Sequence, residues 1–234
     1  MSGLDPQVLL KAYAVGVFPM ADRHDAPDVY WVEPRRRGIL PLMNFHLPRS
    51  LAKVLRQERF ELTANRAFAQ VMRACAEPGP ARGDTWINPA IIEGYSALHA
   101  RGNAHSLEAW IDGELVGGLY GVELGGAFFG ESMFSRVTDA SKATLAHLIA
   151  RLRAGGYLLL DTQFLTTHLA RFGAIEIGRD PYRALLAEAI SRRGDFVAFD
   201  AGADAPGSAA SPPATVVSGP VSGKRIAHAL TQTS

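Results

Sequence analysis

Residues 104–164 read AHSLEAWIDGELVGGLYGVELGGAFFGESMFSRVTDASKATLAHLIARLRAGGYLLLDTQF, and the fold is decided there. Asp112-Gly113, set between two apolar-rich runs, is a hairpin signal joining strands at Ala104 to Ile111 and Leu115 to Glu123. Gly125-Gly126 makes a second turn into a strand at Ala127 to Phe134. Leu145, Leu148, Ile149 and Leu152 recur at helical spacing, so Ala140 to Ala154 is predicted as a helix ended by Gly155. Tyr157 to Phe164 then reads as a buried strand. Three meandering strands, a helix and a strand predict an α+β fold whose mixed sheet turns from antiparallel to parallel, like that of N-acetyltransferases. That likeness concerns the order of elements and carries no chemistry.

Downstream, a helix is expected near Thr167, a short strand at Ile175 to Ile177, and a last helix opened by Asp180-Pro181. Upstream, Asn88-Pro89 opens a helix that carries Ile92, Tyr95 and Leu98 and ends near Gly102. Arg49 to Gln57 is amphipathic: Leu51, Val54 and Leu55 fall on one side, Arg49, Lys53 and Arg56 on the other. Trp31 to Phe45 reads as extended segments and loop, and Gly16 to Asp28 as irregular. Asp5-Pro6 is the cap and first residue of a helix reaching Ala14. The expected organisation is a small N-terminal α/β domain over 1–44, an acetyltransferase-like domain over 45–200, and a tail over 201–234. That tail, mostly Ala, Gly, Ser, Pro and Thr, buries too little apolar surface to offset the entropy of ordering it. It reads as a disordered extension with partial order around Ile226 to Leu230.

The 234 residues are 47% hydrophobic and 20% charged, which suits one large domain or two smaller ones. Lys and Arg number 24 against 23 Asp and Glu, which excludes a polycation. With Asp204, Lys224 and Arg225 set aside, residues 1–200 carry equal numbers of each sign, so a polyanionic partner needs a local basic patch. No apolar run approaches the ~20 residues of a membrane helix, and Met1 to Asp5 lacks the features of a signal peptide. The lone Cys75 excludes an internal disulfide and a cysteine-cluster metal site. No His-Glu-x-x-His pair or Gly-x-Gly-x-x-Gly loop occurs. A cytoplasmic protein without metal, cofactor or membrane partner is expected.

Gly130-Glu131-Ser132-Met133-Phe134 lacks the closing glycine of a serine-hydrolase elbow. Glu131 and Asp161 stand out because carboxylates at the ends of apolar strands are costly to bury unless paired or used. Asp161 and Gln163 share a strand face by period two and would point into one cleft. A structural role, accepting hydrogen bonds from a neighbouring loop, is equally open for each carboxylate. Trp31 and Trp86 suit base stacking or simple loop anchoring, the latter favoured from residue type alone. The Arg49, Lys53, Arg56 stripe, with Arg35 to Arg37 nearby in sequence, fits phosphate binding or a solvated helix side. His105 is expected to be packed rather than catalytic.

Several segments resemble the leucyl/phenylalanyl-tRNA–protein transferase family, in family order across nearly all of residues 1–200. They are Ala12 to Met20, Arg37 to Leu42, Phe45 to Leu51, Thr85 to Ile87, Ala104 to Glu108 and Leu115 to Gly121. Most specific are Gly130 to Arg136, Ala140 to Lys142 and Leu160 to Gln163. The resemblance implies a bacterial aminoacyltransferase of the N-degron pathway. Such an enzyme moves Leu, Phe or Met from aminoacyl-tRNA to the α-amine of proteins beginning with Arg or Lys, without a cofactor. It implies that Asp161 and Gln163 form the hydrogen-bonded catalytic pair while Glu131 contacts the amine. Granted those substrates, Gln163 would hydrogen-bond the attacking amine and Asp161 would polarise it or collect its proton. Trp31 and Trp86 would hold the 3′ adenosine, and Leu119, Phe128, Met133, Leu148 and Leu160 the transferred side chain. Acceptor-stem phosphates would fall to Arg37, Arg49, Lys53, Arg56 and Arg136, and a monomer is expected. Val32-Glu33-Pro34-Arg35-Arg36 departs from the family's Pro-Asp-Pro type of loop. The alternatives are a CoA-dependent N-acetyltransferase, which Val137-Thr138-Asp139 argues against where a glycine-rich pyrophosphate loop is needed, and a non-catalytic tRNA-binding module.

Overall fold

In the computed structural model, which describes residues 4–78, 84–201 and 216–232, the chain organises its helices around one eight-stranded sheet. Helix α1 (Pro6–Ala14) starts as its sequence asks, with the Asp5 carboxylate accepting the Gln7 N–H and Pro6 in the first turn. Strands β1 (Phe18–Met20) and β2 (Tyr30–Val32) pair separately, β1 inside the stretch expected to be irregular and β2 at the start of the one expected to be extended. Next come β3 (Arg36–Ile39) and the stripe helix α2 (Arg49–Arg56). Two elements that periodicity did not reveal, β4 (Glu61–Ala64) and α3 (Phe68–Ala76), precede α4 (Pro89–Ala100).

The deciding stretch folds within two residues of expectation: β5 (Ala104–Ile111), β6 (Glu114–Leu124), β7 (Ala127–Ser135), α5 (Ala140–Ala154) and β8 (Leu159–Gln163). Asp112 and Gly113 both take the left-handed conformation that a two-residue hairpin turn requires, with φ of 50° and 79°. After β8 follow α6 (Thr167–Ala170), β9 (Ile175–Gly178) and α7 (Arg179–Ser191). The described chain ends with β10 (Ser218–Val221) and α8 (Gly223–Thr231).

Across the sheet the order is β10-β4-β5-β6-β7-β8-β3-β9, and every pairing is antiparallel except β7 with β8. That parallel pair is joined by α5, the crossover such a pairing needs. Successive residues feed opposite cores: Leu119 and Phe128 face α2, α5 and α8, while Tyr120 and Phe129 face the side of α1, α3, α4 and α7. The expected 1–44 unit contributes β3 to the main sheet, between β8 and β9, and Leu9, Tyr13 and Phe18 join the second core.

The expectation of a disordered tail needs correction at its end. β10 extends the sheet by pairing with β4, and α8 buries Ile226, Ala227 and Leu230 against α2 and α5. This reaches beyond the partial order expected around Ile226 to Leu230, because the packing depends on close approach: a Cβ at Gly223 would lie 2.2 Å from the Leu55 carbonyl oxygen. A polar latch adds to it, with Ser218 Oγ donating to Asp200 and Asp200 in turn bridged to Arg151. Residues 202–215 of that tail lie outside the described residues. Among the described residues no helix is long and apolar enough to cross a membrane.

Ile226→Ala is expected to lower unfolding free energy by about 2–5 kcal/mol in a urea titration. An unshifted midpoint would contradict the docking of α8.

Candidate active site

The parallel pairing of β7 and β8 covers only Ala127 to Phe129 against Leu159 to Asp161. The next inward groups, Glu131 and Gln163, therefore sit where the two strands are no longer paired. β7 also carries a bulge: Tyr120 pairs with Ser132 and Gly121 with Gly130, which leaves Glu131 as the extra residue. A bulge turns a side chain out of the regular alternation. Gly121 permits it, since a Cβ there would lie 2.3 Å from the Phe129 carbonyl oxygen. The gap opens into a cavity of about 570 Å³ walled by Leu119, Met133, Leu145, Leu148, Leu160 and Leu169, with Trp86 and Phe164. Glu131, Thr162, Gln163 and His168 bring polar atoms to it.

Gln163 holds a left-handed backbone with φ of 60°, and the Phe164 N–H donates to the Thr162 carbonyl at 2.6 Å, closing a γ-turn around it. Such a conformation costs on the order of 1–3 kcal/mol and needs support. Asp161 supplies it, accepting the Gln163 N–H at 2.7 Å. The rest of that carboxylate is engaged inward: Arg37 Nε approaches its oxygens at 3.0 and 2.9 Å, Arg37 Nη2 donates at 2.6 Å, and the Tyr182 hydroxyl donates at 2.6 Å. Arg37 also donates to the Gly16 carbonyl at 2.9 Å and lies over the rings of Phe18 and Tyr182. Burial works against the Arg37 charge, but the attraction of Asp161 outweighs it and raises the pKa above the ordinary guanidinium value. The Tyr182 phenol is pushed up by burial and by the same carboxylate. On β3, Gly38 lets the turn pass: a Cβ there would lie 2.6 Å from the Phe164 carbonyl carbon.

Two expectations change here. Gln163 reaches the cavity, but Asp161 faces the interior and lies outside the cavity lining. Period-two alternation presumes extended backbone, and the left-handed Gln163 breaks it. Arg37, only 1% exposed and paired with Asp161, has no free donor face for a tRNA phosphate.

Like Asp84, near Trp86 in sequence, and unlike Asp161, Glu131 lines the cavity. Its Oε1 accepts the Tyr13 hydroxyl at 2.7 Å and its Oε2 accepts the Tyr95 hydroxyl at 3.1 Å, while the two hydroxyls also contact each other. Burial lifts its pKa from 4.5 to about 7, against hydrogen bonding from Tyr13, Gln163 and Tyr95 and with help from the nearby Asp161. Both phenols are pushed up, first by burial and then by Glu131. The Gln163 amide is close enough to stabilise the Glu131 anion, yet its Nε2 makes no hydrogen bond of ordinary geometry, and neither does Thr162 Oγ1. Two buried polar groups on the cavity wall are thus left for a ligand.

Of the other expected site residues, Trp86, Leu119, Met133, Leu148 and Leu160 line the cavity. Phe128 is fully buried in the core beside Leu148 and Leu160 and lies outside the lining. Trp31 is 41% exposed on β2 and also outside it. Arg49, Lys53 and Arg56 are exposed along α2, opposite the buried Leu51 and Leu55. Arg136 is exposed but held by Glu77 at 3.0 and 2.9 Å. His105 is packed, stacked on Phe196 and hydrogen-bonded to Asn65 and Glu123. Sequence reading missed the roles of Tyr13, Tyr95 and Tyr182. The available signal was a tyrosine on an apolar helix face, whose hydroxyl needs a partner when buried. Among the described residues no group of three or more His, Cys, Asp or Glu could hold a metal ion.

A family model described as leucyl/phenylalanyl-tRNA protein transferase matches residues 39–187, and one for the N-terminal domain of that family matches residues 3–35. The chain is similar to a leucyl/phenylalanyl-tRNA–protein transferase of Rhizorhabdus wittichii, 56% identical over 254 residues and covering 100% of each chain. It is 58% identical to a protein of that name from Zymomonas mobilis over 188 residues, 80% of this chain and 70% of the relative. A third, from a Ruegeria species, is 58% identical over 194 residues, covering 83% and 90%.

Asp161→Ala strands the Arg37 charge in the interior and is expected to cost about 3–5 kcal/mol of folding stability, read from denaturant unfolding. A loss below 1 kcal/mol would mean the pair is not structural. Glu131 gives a pH signature of opposite sign to that of an ordinary paired carboxylate. Because the folded chain holds this proton more tightly than the unfolded chain, stability falls as pH rises from 4.5 to about 7 and levels off above. The span corresponds to roughly 3 kcal/mol. Subtracting the Glu131→Gln profile from that of the wild type should isolate this fall, and identical profiles would refute the raised value.

Proposed function

The chain belongs to the leucyl/phenylalanyl-tRNA protein transferase family, and from that premise we propose that its cavity receives the esterified amino acid while Glu131 carries the reaction's proton. It is an aminoacyltransferase, acting on aminoacyl-tRNA and on the N-terminus of a protein. The donors we assign are Leu, Phe and Met esters, and the acceptors are proteins beginning with Arg or Lys, marked in this way for degradation in the cytoplasm. A monomer suffices for this chemistry.

An aminoacyl ester is already activated, so the enzyme's chief task is to hold amine and carbonyl in register. The amine nitrogen attacks, a C–N bond forms, and the C–O bond to the tRNA 3′ oxygen breaks. An α-amine with a pKa of about 7.7–8.0 is roughly 10–20% neutral at pH 7. Glu131, near 7, is matched to take the amine proton and return it to the departing 3′ oxygen. Gln163 and Thr162, whose Nε2 and Oγ1 make no hydrogen bond of ordinary geometry, orient the amine and the ester carbonyl. Asp161 acts through Gln163 as a positioning residue.

The apolar wall selects the side chain. Leu119, Met133, Leu148 and Leu160, joined by Leu145 and Leu169, favour side chains unbranched at Cβ, at ~1–3 kcal/mol per misplaced methyl or methylene. Phe128 backs that wall. Trp86 stacks on the terminal adenosine from the cavity rim, with Trp31 as a second aromatic face, each worth ~1–3 kcal/mol. Arg49, Lys53 and Arg56 take acceptor-stem phosphates without reading sequence, and Arg136 joins them by exchanging Glu77 for phosphate.

One observation carries this reading: Glu131, its proton affinity raised to about 7, stands on the cavity wall beside the Gln163 amide. The test is transfer of labelled leucine from Leu-tRNA to an Arg-initiated peptide. Glu131→Gln is expected to lower kcat at least about 100-fold while KM for Leu-tRNA stays within a few-fold. Wild-type turnover in the variant would defeat the assignment. Acetyl-CoA binding without leucine transfer would mark an acetyltransferase, and tRNA binding without transfer a binding module.

A further inference from the structure

Glu131, Tyr13 and Tyr95 meet in three mutual contacts: Tyr13 to Oε1, Tyr95 to Oε2, and hydroxyl to hydroxyl. Each phenol brings one hydrogen, and Glu131 brings another only when protonated. The ionised set therefore has two hydrogens for three contacts, and one contact must set lone pair against lone pair. The protonated set has one hydrogen for each. Glu131 then donates to Tyr95, Tyr95 to Tyr13, and Tyr13 back to Glu131. Both tyrosines are fully buried, so solvent does not supply the missing hydrogen.

We propose that Tyr13, Tyr95 and Glu131 form a closed hydroxyl ring that stores the single proton the transfer reaction borrows, with the two tyrosines as positioning residues. The proposal takes its chemical consequence from the transfer reading above. As the C–N bond forms, the amine proton completes the ring at Glu131. As the C–O bond breaks, the same proton leaves for the 3′ oxygen and the ring reopens, so no net proton is gained or lost. The ring draws its members from α1, α4 and the bulge of β7. The other charged or titratable groups around it are Asp161 on β8, Arg37 on β3, Tyr182 on α7 and Tyr120 on β6, whose ring packs edge-on to Tyr95, with neutral Gln163 beside the carboxylate and Asp84 and His168 elsewhere on the cavity wall. None of these completes the hydrogen count within the ring.

The ring makes a prediction opposite in sign to that of ordinary hydrogen-bond donation. If Tyr95 merely donated to the Glu131 anion, Tyr95→Phe would raise the Glu131 midpoint. In the ring, that change removes two hydrogen bonds from the protonated state. From the ionised state it removes one bond and also relieves the unfilled contact. The midpoint should therefore fall, by roughly one pH unit. The measurement is the carboxyl carbon-13 shift of Glu131 in the intact protein, assigned by its absence in Glu131→Gln and followed against pH. A rise or no change overturns the ring. Should Tyr95→Phe fail to fold, Tyr13→Phe opens the ring from its other side and carries the same expectation. The wild-type titration also decides, since a midpoint in the ordinary carboxylate range overturns the proposal. Because transfer is not the readout, a downward shift in a protein that does not transfer leucine would uphold the ring and defeat only the enzymatic reading.

Discussion

A buried ion pair between Arg37 and Asp161 is the constraint on which the rest of the site depends. It joins β3 to β8, takes in the Tyr182 hydroxyl from α7 and the Gly16 carbonyl from the N-terminal segment, and leaves both side chains almost without solvent contact. Ion pairs of this kind contribute little net stability over a well-packed apolar substitute, but losing one partner leaves an uncompensated charge inside the fold. Its value here lies in what it holds. One Asp161 oxygen accepts the Gln163 N–H, and that bond supports the left-handed turn that swings the Gln163 side chain to the cavity.

The two carboxylates that stand out in the sequence thus divide the work according to their partners. Asp161 is surrounded by a guanidinium, a phenol and a backbone N–H, all donating to it. Glu131 meets two phenols and an apolar wall, and burial brings its proton affinity into the physiological range. A buried carboxylate poised there suits acid–base chemistry on an amine. The bulge at Glu131 and the turn at Gln163 are the two local departures from regular strand geometry that bring these polar side chains to the cavity. Both lie where β7 and β8 stop pairing.

The order of elements from Ala104 to Gln163 was legible because hairpin turns and helical spacing are local signals. So were the apolar walls, since Leu119, Met133, Leu148 and Leu160 sit on elements whose periodicity is plain. β4 and α3 escaped because they are short and packed by partners distant in the chain. β10 and the docking of α8 escaped, although order around Ile226 to Leu230 was expected, because a glycine contact with α2 seats the helix. Arg37 looked like a phosphate ligand because residue type says nothing of a partner 124 positions away. Asp161 looked like a cleft residue because strand alternation was assumed to persist through Gln163. In each miss a long-range contact or one unusual φ angle overrode a local rule.

The most direct test of this division is a crystal structure with an adenosine that carries leucine through a stable 3′-amide. The account predicts the leucyl side chain among Leu119, Met133 and Leu148, Glu131 and Gln163 within about 2.6–3.2 Å of the amide or of an acceptor amine, and the Arg37–Asp161 pair intact. A complex in which Asp161 has left Arg37 and turned onto the amine would contradict it.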